Sequence, residues 1–223
     1  MLDESYKIVI ELLNSKFSNS KIDWYLTGKI SLALQGMNIQ PKNIGVLIHE
    51  EDLNKALKLF SEYKISEIIE LPNKEAKEFT LEINKIPVLI CAEYKNGTYW
   101  KVKETNKVKI GEINVLCFSL EANKNAYEKI GMKEKAKLIE EFTIILKILN
   151  SPNISSDFQD NGYTFEEIVK SIKKEKIKLS EKKLKKLLKD MEKEGLLEER
   201  HFGKEYDYRV DYNLENKGIK IIN

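Results

Sequence analysis

Residues 26–36 read LTGKISLALQG, and residues 41–53, after a short loop, read PKNIGVLIHEEDL. An apolar strand pattern leads into Gly28, where the pattern breaks. A short apolar helix is predicted at residues 31–36, and a buried strand at residues 44–48, IGVLI. This stretch therefore predicts a strand, a glycine turn, a short helix and a second strand in quick succession.

The same two patterns continue through the first 150 residues of the chain. Helical spacing of apolar residues recurs at residues 4–17, 51–63, 120–130 and 134–149. Strand patterns occur at residues 67–71, 79–83, 87–92, 108–110 and 113–117. Strands interspersed with helices predict an α/β (α+β) fold, with a mixed sheet and flanking helices.

The composition excludes several classes of protein. The 223-residue chain is 42% apolar and 33% charged, with two cysteines and two histidines. No run approaches the roughly 20 consecutive apolar residues of a membrane span, and two cysteines cannot build a disulfide framework or a multi-cysteine zinc site. We expect a soluble cytoplasmic protein with no membrane partner. The near balance of 38 basic and 36 acidic residues predicts no particular partner.

The glycine turn, short helix and second strand resemble the nucleotidyltransferase fold. The similarity is to the small archaeal and bacterial nucleotidyltransferase-like proteins related to antibiotic adenylyltransferases, and it covers roughly residues 24–141. Their pattern is a strand ending in Gly-Ser, a short helix ending in glycine, and a strand carrying Asp-x-Asp. The resemblance implies a triphosphate at the glycine turn, and Mg²⁺ on the two aspartates and a third carboxylate of a later strand.

This sequence departs from the family at the positions that carry its chemistry. Gly28 and Lys29 stand at the Gly-Ser position, Asn43 and Gly45 stand at the two aspartates, and the third carboxylate would fall at Leu89. Mg²⁺ needs carboxylate oxygens to replace part of its water shell, and phosphoryl transfer needs the metal. We therefore expect no metal ligands, no catalytic residues and no cofactor at these positions, as in a pseudoenzyme.

Nearby acids leave a shifted metal site open as an alternative. Glu50, Glu51 and Asp52 follow the second strand, and Glu93 ends a later one. Acids also interact favourably with the positive end of a helix dipole, so capping of the following helix is the competing interpretation for Glu51 and Asp52. With a shifted site, the protein would be an active nucleotidyltransferase using Mg²⁺ and a nucleoside triphosphate.

Simple nucleotide binding does not depend on the metal site. Thr27, Gly28, Lys29 and Asn43 are our candidates for residual nucleotide binding, because they match the family's nucleotide-binding turn and strand. Lys29 could pair with a phosphate directly; the alternative is a surface lysine at a turn. His49 follows the second strand with no Asp or Ser partner in the pattern, and we interpret it as a surface residue.

The last part of the chain has a different pattern. Residues 151–162, SPNISSDFQDNG, are rich in turn formers. The predicted domains are a nucleotidyltransferase-like domain at residues 1–133 and a second domain at residues 134–223. The helix of residues 134–149 supplies the first element of that second domain.

Two helices and a hairpin follow in the second domain. Residues 188–200, LKDMEKEGLLEER, lead from a helix into a strand, and a second strand is predicted at residues 205–210. This order resembles a winged helix-turn-helix domain, whose recognition helix begins here at Ser180. The predicted inward positions are Ile168, Val169 and Ile172 on one helix and Leu184, Leu187, Leu188 and Met191 on the other.

The predicted recognition helix is strongly basic. Ten lysines against two glutamates lie in residues 170–189. Its polar side and the wing supply our candidate DNA-binding residues: Lys182, Lys183, Lys185, Lys186, Lys189 and Lys204. The helix has no Arg, Asn or Gln to read base edges in a bidentate manner, and the wing carries acids. A protein-binding winged helix and a solvated lysine face therefore remain alternatives.

Taken together, these patterns predict a non-catalytic DNA-binding or regulatory protein, acting in transcriptional regulation, on a nucleotidyltransferase-like scaffold with a winged helix. Its expected partner is double-stranded DNA, with a protein partner or a second copy of the chain as further possibilities. The alternatives are an active nucleotidyltransferase with a shifted metal site and a protein-docking winged-helix module.

Overall fold

The computed structural model describes residues 3–37, 39–71, 75–97, 100, 104–149, 163–174, 176–177, 179–193, 197–202, 205–210 and 220–222. Most side chains are described up to residue 190, and the strands beyond it by their backbone alone. The chain forms two compact units, residues 1–139 with 217–223 and residues 140–216. The predicted domain boundary, after residue 133, lies six residues before this division.

Seven α-helices occur in the described parts of the chain. They are α1 (Glu4–Asn19), α2 (Gly28–Leu34), α3 (Leu53–Leu59), α4 (Leu120–Lys129), α5 (Lys133–Leu149), α6 (Phe165–Lys174) and α7 (Glu181–Lys193). A 3₁₀ turn, Glu50–Asp52, precedes α3. No helix of the described residues is both long enough and apolar enough to cross a membrane.

The described strands fall into two sheets. They are β1 (Trp24–Thr27), β2 (Ile44–His49), β3 (Ile69–Leu71), β4 (Ala76–Ile83), β5 (Ile86–Glu93), β6 (Thr105–Ile110), β7 (Ile113–Phe118), β8 (Tyr163–Thr164), β9 (Leu197–Phe202), β10 (Glu205–Val210) and β11 (Lys220–Ile222). The larger sheet has the order β11-β6-β7-β1-β2-β5-β4-β3. It is mixed, because β2 is antiparallel to β1 and parallel to β5. The predicted α/β fold with a mixed sheet is confirmed.

The core of the first unit lies between the sheet and α1. Asp3 caps this helix by accepting a hydrogen bond from the Ser5 amide at 2.9 Å, and the helix buries Ile10 and Phe17 completely. These side chains belong to the same apolar cluster as residues of the central strands, among them Leu26. Burial of this cluster holds the central strands, and therefore the turn that follows β1, in place.

Several element boundaries differ from the prediction, among them those of the helices before and after β2. Helix α2 begins at Gly28 rather than at residue 31, because Gly28 adopts a φ of +67°, which glycine accepts without strain. The chain can therefore turn directly from β1 into the helix. The predicted helix of residues 51–63 is shorter, since α3 ends at Leu59 and the buried Phe60 leaves helical geometry.

The second unit contains the end of α5, from residue 140, the helices α6 and α7, and a three-stranded sheet of order β8-β10-β9. Ser180 precedes α7, and its side-chain oxygen accepts a hydrogen bond from the Lys183 amide at 3.3 Å. The predicted inward positions are confirmed for Ile168, Ile172, Leu184, Leu187 and Leu188, which are buried in one cluster with Val169 packed beside them. The side chain of Met191 lies outside the described residues.

Candidate functional site

One face of the central strands forms the floor of a cavity of about 360 Å³ in the first unit. The strand registers place Thr27 of β1 beside Gly45 of β2, and Gly45 beside Leu89 of β5. Two residues further along, Leu47 lies beside Cys91. Because side chains alternate between the two faces of a sheet, these residues share one face, and all of them line the cavity.

Helices α2, α4 and α5 supply other walls of the cavity. Tyr127 of α4 lines it together with Ala126, Ile130 and Met132, which makes this wall largely apolar. Burial raises the pKa of the Tyr127 phenol. The Lys135 ammonium, on α5, lies 5.3 Å from the centre of the Tyr127 ring, so the apolar wall has a positive charge at its edge.

The cavity brings together all four residues predicted for residual nucleotide binding. Thr27, Gly28, Lys29 and Asn43 line it. The first three lie where β1 passes into α2, and Asn43 immediately precedes β2. Their meeting depends on the pairing of β1 with β2, which brings the turn after one strand to the start of the other.

Two further lysines at the cavity were not singled out from the sequence. Lys42 and Lys135 line it, and both are exposed, as is Lys29. Lys42 adjoins Asn43, so the strand motif itself could have indicated it. Lys135 comes from the first turn of α5, far along the chain, and no local sequence signal connects it with the glycine turn.

The positions of the family's metal ligands meet but carry no carboxylate. Gly45 and Leu89 are register partners, and Asn43 lines the same cavity. A Cβ atom at Gly45 would lie 2.8 Å from the carbonyl oxygen of Thr27, so an aspartate there would require β1 to shift. Among the described residues, no group of three or more His, Cys, Asp or Glu side chains could hold a metal ion. The donor set therefore does not fit Mg²⁺.

The acids considered for a shifted metal site do not converge. Glu50 forms an ion pair with Lys77 at 2.8 Å, and its hydrogen bond raises the pKa of that lysine. Glu51 is exposed in the 3₁₀ turn. Of the four acids considered, the described lining of the cavity includes Glu93 alone; Glu78 of β4, which the sequence analysis did not consider, lines it as well.

The capping interpretation of Glu51 and Asp52 needs a correction. Asp52 occupies the residue before α3, but its carboxylate makes no capping hydrogen bond to the helix. It instead accepts a hydrogen bond from the Lys55 ammonium at 2.7 Å, which raises the pKa of Lys55. The backbone of Asp52 is already in the helical region, whereas a capping side chain needs an extended backbone at that residue.

Glu93 is held in a fixed position at one end of the cavity. Its side chain is buried, and the carboxylate accepts a hydrogen bond from the Trp100 amide at 3.1 Å. Gly97 packs against it so closely that a Cβ atom there would lie 2.0 Å from the Glu93 Cγ atom. The His49 ring stacks on Trp100 with 3.6 Å between the ring centres. His49 is therefore a packed, half-buried residue, and its interpretation as a surface residue is wrong.

A buried polar network fixes the turn between β1 and α2. Asn123 of α4 accepts a hydrogen bond from the Gly28 amide at 3.2 Å, and its side-chain amide donates to the Ser31 hydroxyl and the Phe118 carbonyl at 3.2 and 2.9 Å. Gln35 donates to that hydroxyl and carbonyl as well, at 3.1 and 2.9 Å. The Gly28 amide is thus satisfied within the protein. The sequence analysis missed this network, whose members come from separate elements.

The Thr27 side chain, in contrast to this network, is not hydrogen-bonded within the described part of the chain. Its oxygen, Oγ1, is buried and has no hydrogen-bond partner among the described residues. A buried hydroxyl without a partner costs about 1–3 kcal/mol. Thr27 itself lines the cavity, but its Oγ1 atom has essentially no exposed surface there.

The lysines predicted to contact DNA lie on the outer side of α7. Lys182, Lys183, Lys186 and Lys189 are exposed, while the buried positions of the same helix face α6. Lys185 is exposed too, but its ammonium lies 5.0 Å from the centre of the Phe165 ring. Lys204 lies outside the described residues.

Comparisons with known proteins bear on the fold of the first unit. No protein-family model matches the sequence, and neither does any curated protein. Among solved structures, a candidate nucleotidyltransferase from Thermotoga maritima is 24% identical with a TM-score of 0.51, over 65% of this chain and 96% of that chain. The chain has a nucleotidyltransferase fold. This likeness shows the fold and not the activity.

Two antibiotic-modifying proteins resemble the chain more distantly. The lincosamide antibiotic adenylyltransferase LnuA, solved with lincomycin bound, is 15% identical with a TM-score of 0.42, over 59% of this chain and 95% of that chain. The antibiotic-resistance factor ANT(2″)-Ia is 13% identical with a TM-score of 0.40, over 66% of this chain and 96% of that chain.

Proposed function

We propose that the protein is a non-catalytic DNA-binding regulator. In this proposal the nucleotidyltransferase-fold unit binds a small ligand, and the second unit is a winged helix that contacts double-stranded DNA. The observation that carries the non-catalytic part is the register pair Gly45 and Leu89, with Asn43 lining the same cavity. These are the positions at which the resemblance implies metal carboxylates.

The DNA-binding part is supported by the second unit. Its described elements follow the order helix, strand, helix, helix, hairpin, which is the order expected of a winged helix-turn-helix domain. The helix before the hairpin, α7, buries one face and exposes lysines on the other. Lysines held in this way bind the phosphate backbone rather than base edges. We therefore propose contacts that position the protein on DNA with little choice of sequence.

Incubation with labelled nucleoside triphosphates tests the absence of catalysis. With Mg²⁺ or Mn²⁺ present, we expect no transfer of label to the protein, to DNA or RNA, or to a panel of hydroxyl-bearing small molecules. An antibiotic adenylyltransferase with its own substrate serves as the positive control. The reason for the expectation is that Asn43, Gly45 and Leu89 stand where the resemblance implies metal carboxylates, and phosphoryl transfer needs a metal between the phosphates.

An active enzyme with a shifted metal site is the second candidate function, and one observation favours it. Glu78 and Glu93 both line the cavity, so two carboxylates are present although neither stands at a family position. Metal-dependent label transfer that disappears in Glu93→Gln or Glu78→Gln would establish this alternative and would overturn the proposal of a non-catalytic protein.

A further inference from the structure

We infer that the cavity of the first unit binds a phosphorylated small molecule without a metal ion, and that three lysines supply the positive charge. The inference rests on the proposed function, since it names the ligand class of the proposed ligand-binding unit. It also predicts a dependence on Mg²⁺ opposite to that of a catalytic nucleotidyltransferase, because added metal should weaken binding.

The charge comes from three separate elements. Lys29 lies in the first turn of α2, Lys42 precedes β2, and Lys135 lies in the first turn of α5. All three line the cavity and are exposed, so their ammonium groups can reach a ligand at its mouth. Hydrogen bonds between ammonium and phosphate groups are among the stronger ones in proteins.

The acids of the cavity reduce this positive charge but do not outnumber the lysines. Glu93 is buried, with its carboxylate bonded to the Trp100 amide, and Glu78 lies on the neighbouring strand β4. The lining thus carries three lysines and two glutamates. The backbone amide of Gly28, in the glycine turn, is not available to a ligand, because it already donates a hydrogen bond to Asn123. The lysines are therefore the groups left to hold an anion.

The rest of the cavity suits the body of the ligand. Its volume of about 360 Å³ is within the range for small-molecule sites. Tyr127, Ile130 and Met132 offer an apolar wall. A phosphate ester with a ring or another apolar body would use the lysines and the wall together.

The effect of Mg²⁺ follows from competition for the same oxygens. A magnesium ion on a polyphosphate neutralises part of its charge and occupies oxygens that would otherwise accept hydrogen bonds from lysine. In a site with metal carboxylates this loss is offset by the bonds between metal and protein. The described lining carries only the carboxylates of Glu78 and Glu93, and no group of three His, Cys, Asp or Glu side chains is present among the described residues to hold a metal ion. The complex with Mg²⁺ should therefore bind more weakly.

Calorimetric titration of the full chain with ATP tests the inference. In EDTA we expect binding, and in excess Mg²⁺ a severalfold weaker affinity. Lys29→Ala, Lys42→Ala and Lys135→Ala should each weaken binding about tenfold or more. The matched control is Lys133→Ala, which removes an exposed lysine of α5 outside the described lining and should leave affinity unchanged. Inorganic tripolyphosphate should bind more weakly than ATP, because it lacks a body to contact the apolar wall.

Several results would overturn the inference. These are ATP binding that requires Mg²⁺, no ATP binding in EDTA, lysine variants no weaker than Lys133→Ala, and tripolyphosphate binding as tightly as ATP. DNA binding measured on the same preparations separates this failure from failure of the proposed function. Lost DNA binding with intact ATP binding would overturn the regulator and leave the ligand site standing.

Discussion

Two buried hydroxyls near the β1–α2 turn have opposite surroundings. Thr27 has a side-chain oxygen without a partner in the described structure, whereas the Ser31 hydroxyl donates to the Phe118 carbonyl at 2.9 Å and accepts from Gln35 and Asn123. An unpaired group can be removed at little cost, but removing one partner of a buried network leaves the others unsatisfied. The stability of the two positions should therefore respond differently to loss of the hydroxyl.

Thr27→Val keeps the shape of the side chain, so the free energy of unfolding should stay within about 0.5 kcal/mol of wild type or rise. Ser31→Ala should lower it by about 1–3 kcal/mol. Urea unfolding followed by circular dichroism measures both. A loss above about 1 kcal/mol in Thr27→Val would mean that its hydroxyl has a hydrogen-bond partner in the folded protein.

Among single residues, the sequence predicted the cavity residues that belong to the local strand and turn motif. Lys29 and Asn43 stand beside recognisable strand and turn patterns, and both line the cavity. Lys135 and Asn123 could not be found in this way, because only the packing of α4 and α5 brings them to the turn. His49 was misinterpreted because its stacking partner, Trp100, lies far along the chain and outside the strand pattern that contains His49.

Helix α7 has its buried and exposed sides fixed by one periodicity. Leu187→Ala should lower the free energy of unfolding of the second unit by about 2–5 kcal/mol, because Leu187 is 5% exposed and packs in the cluster of α6 and α7. Lys186→Ala, the exposed neighbour, should stay within about 0.5 kcal/mol. Thermal unfolding measured with both variants checks this. A neutral Leu187→Ala would overturn the orientation of the helix and, with it, the assignment of the lysine side.

Elements were predicted well where apolar periodicity was strong and less well at their ends. The start of α2 was predicted three residues late, because the pattern alone does not show that Gly28 can begin the helix at positive φ. The helix after β2 was predicted too long, because the buried Phe60 continues the apolar spacing after helical geometry has ended.

The whole molecule combines two features. The first unit has a nucleotidyltransferase fold whose described cavity does not fit Mg²⁺, and the second unit exposes lysines on α7. The mixed sheet was predictable because strand and helix patterns alternate along the chain, and the resemblance of its motif placed the cavity. The proposed role of the second unit depends on long-range electrostatic attraction between its lysines and DNA. Neither the apolar sequence pattern nor the fold of the first unit determines that attraction.

The proposed contact between α7 and DNA is tested by measuring binding of the full chain to double-stranded DNA at several salt concentrations. Each lysine–phosphate contact that releases a counterion adds about −0.9 to the log–log slope of affinity against salt, so about four contacts should give a slope near −3 to −4. The triple change of Lys182, Lys183 and Lys186 to alanine should weaken binding to many sequences alike and flatten the slope by up to about three.

The matched control replaces Lys58, Lys64 and Lys129, three exposed lysines of the first unit, and removes the same charge. Fluorescence anisotropy with labelled duplexes measures affinity and slope for all three proteins. We expect the wild-type protein to show a log–log slope near −3 to −4. The control variant should keep this slope, and the α7 variant should have a flatter one. No binding at roughly 50 mM salt, or equal slopes in the two triple variants, would contradict the proposed contact with DNA and favour a winged helix that docks on protein.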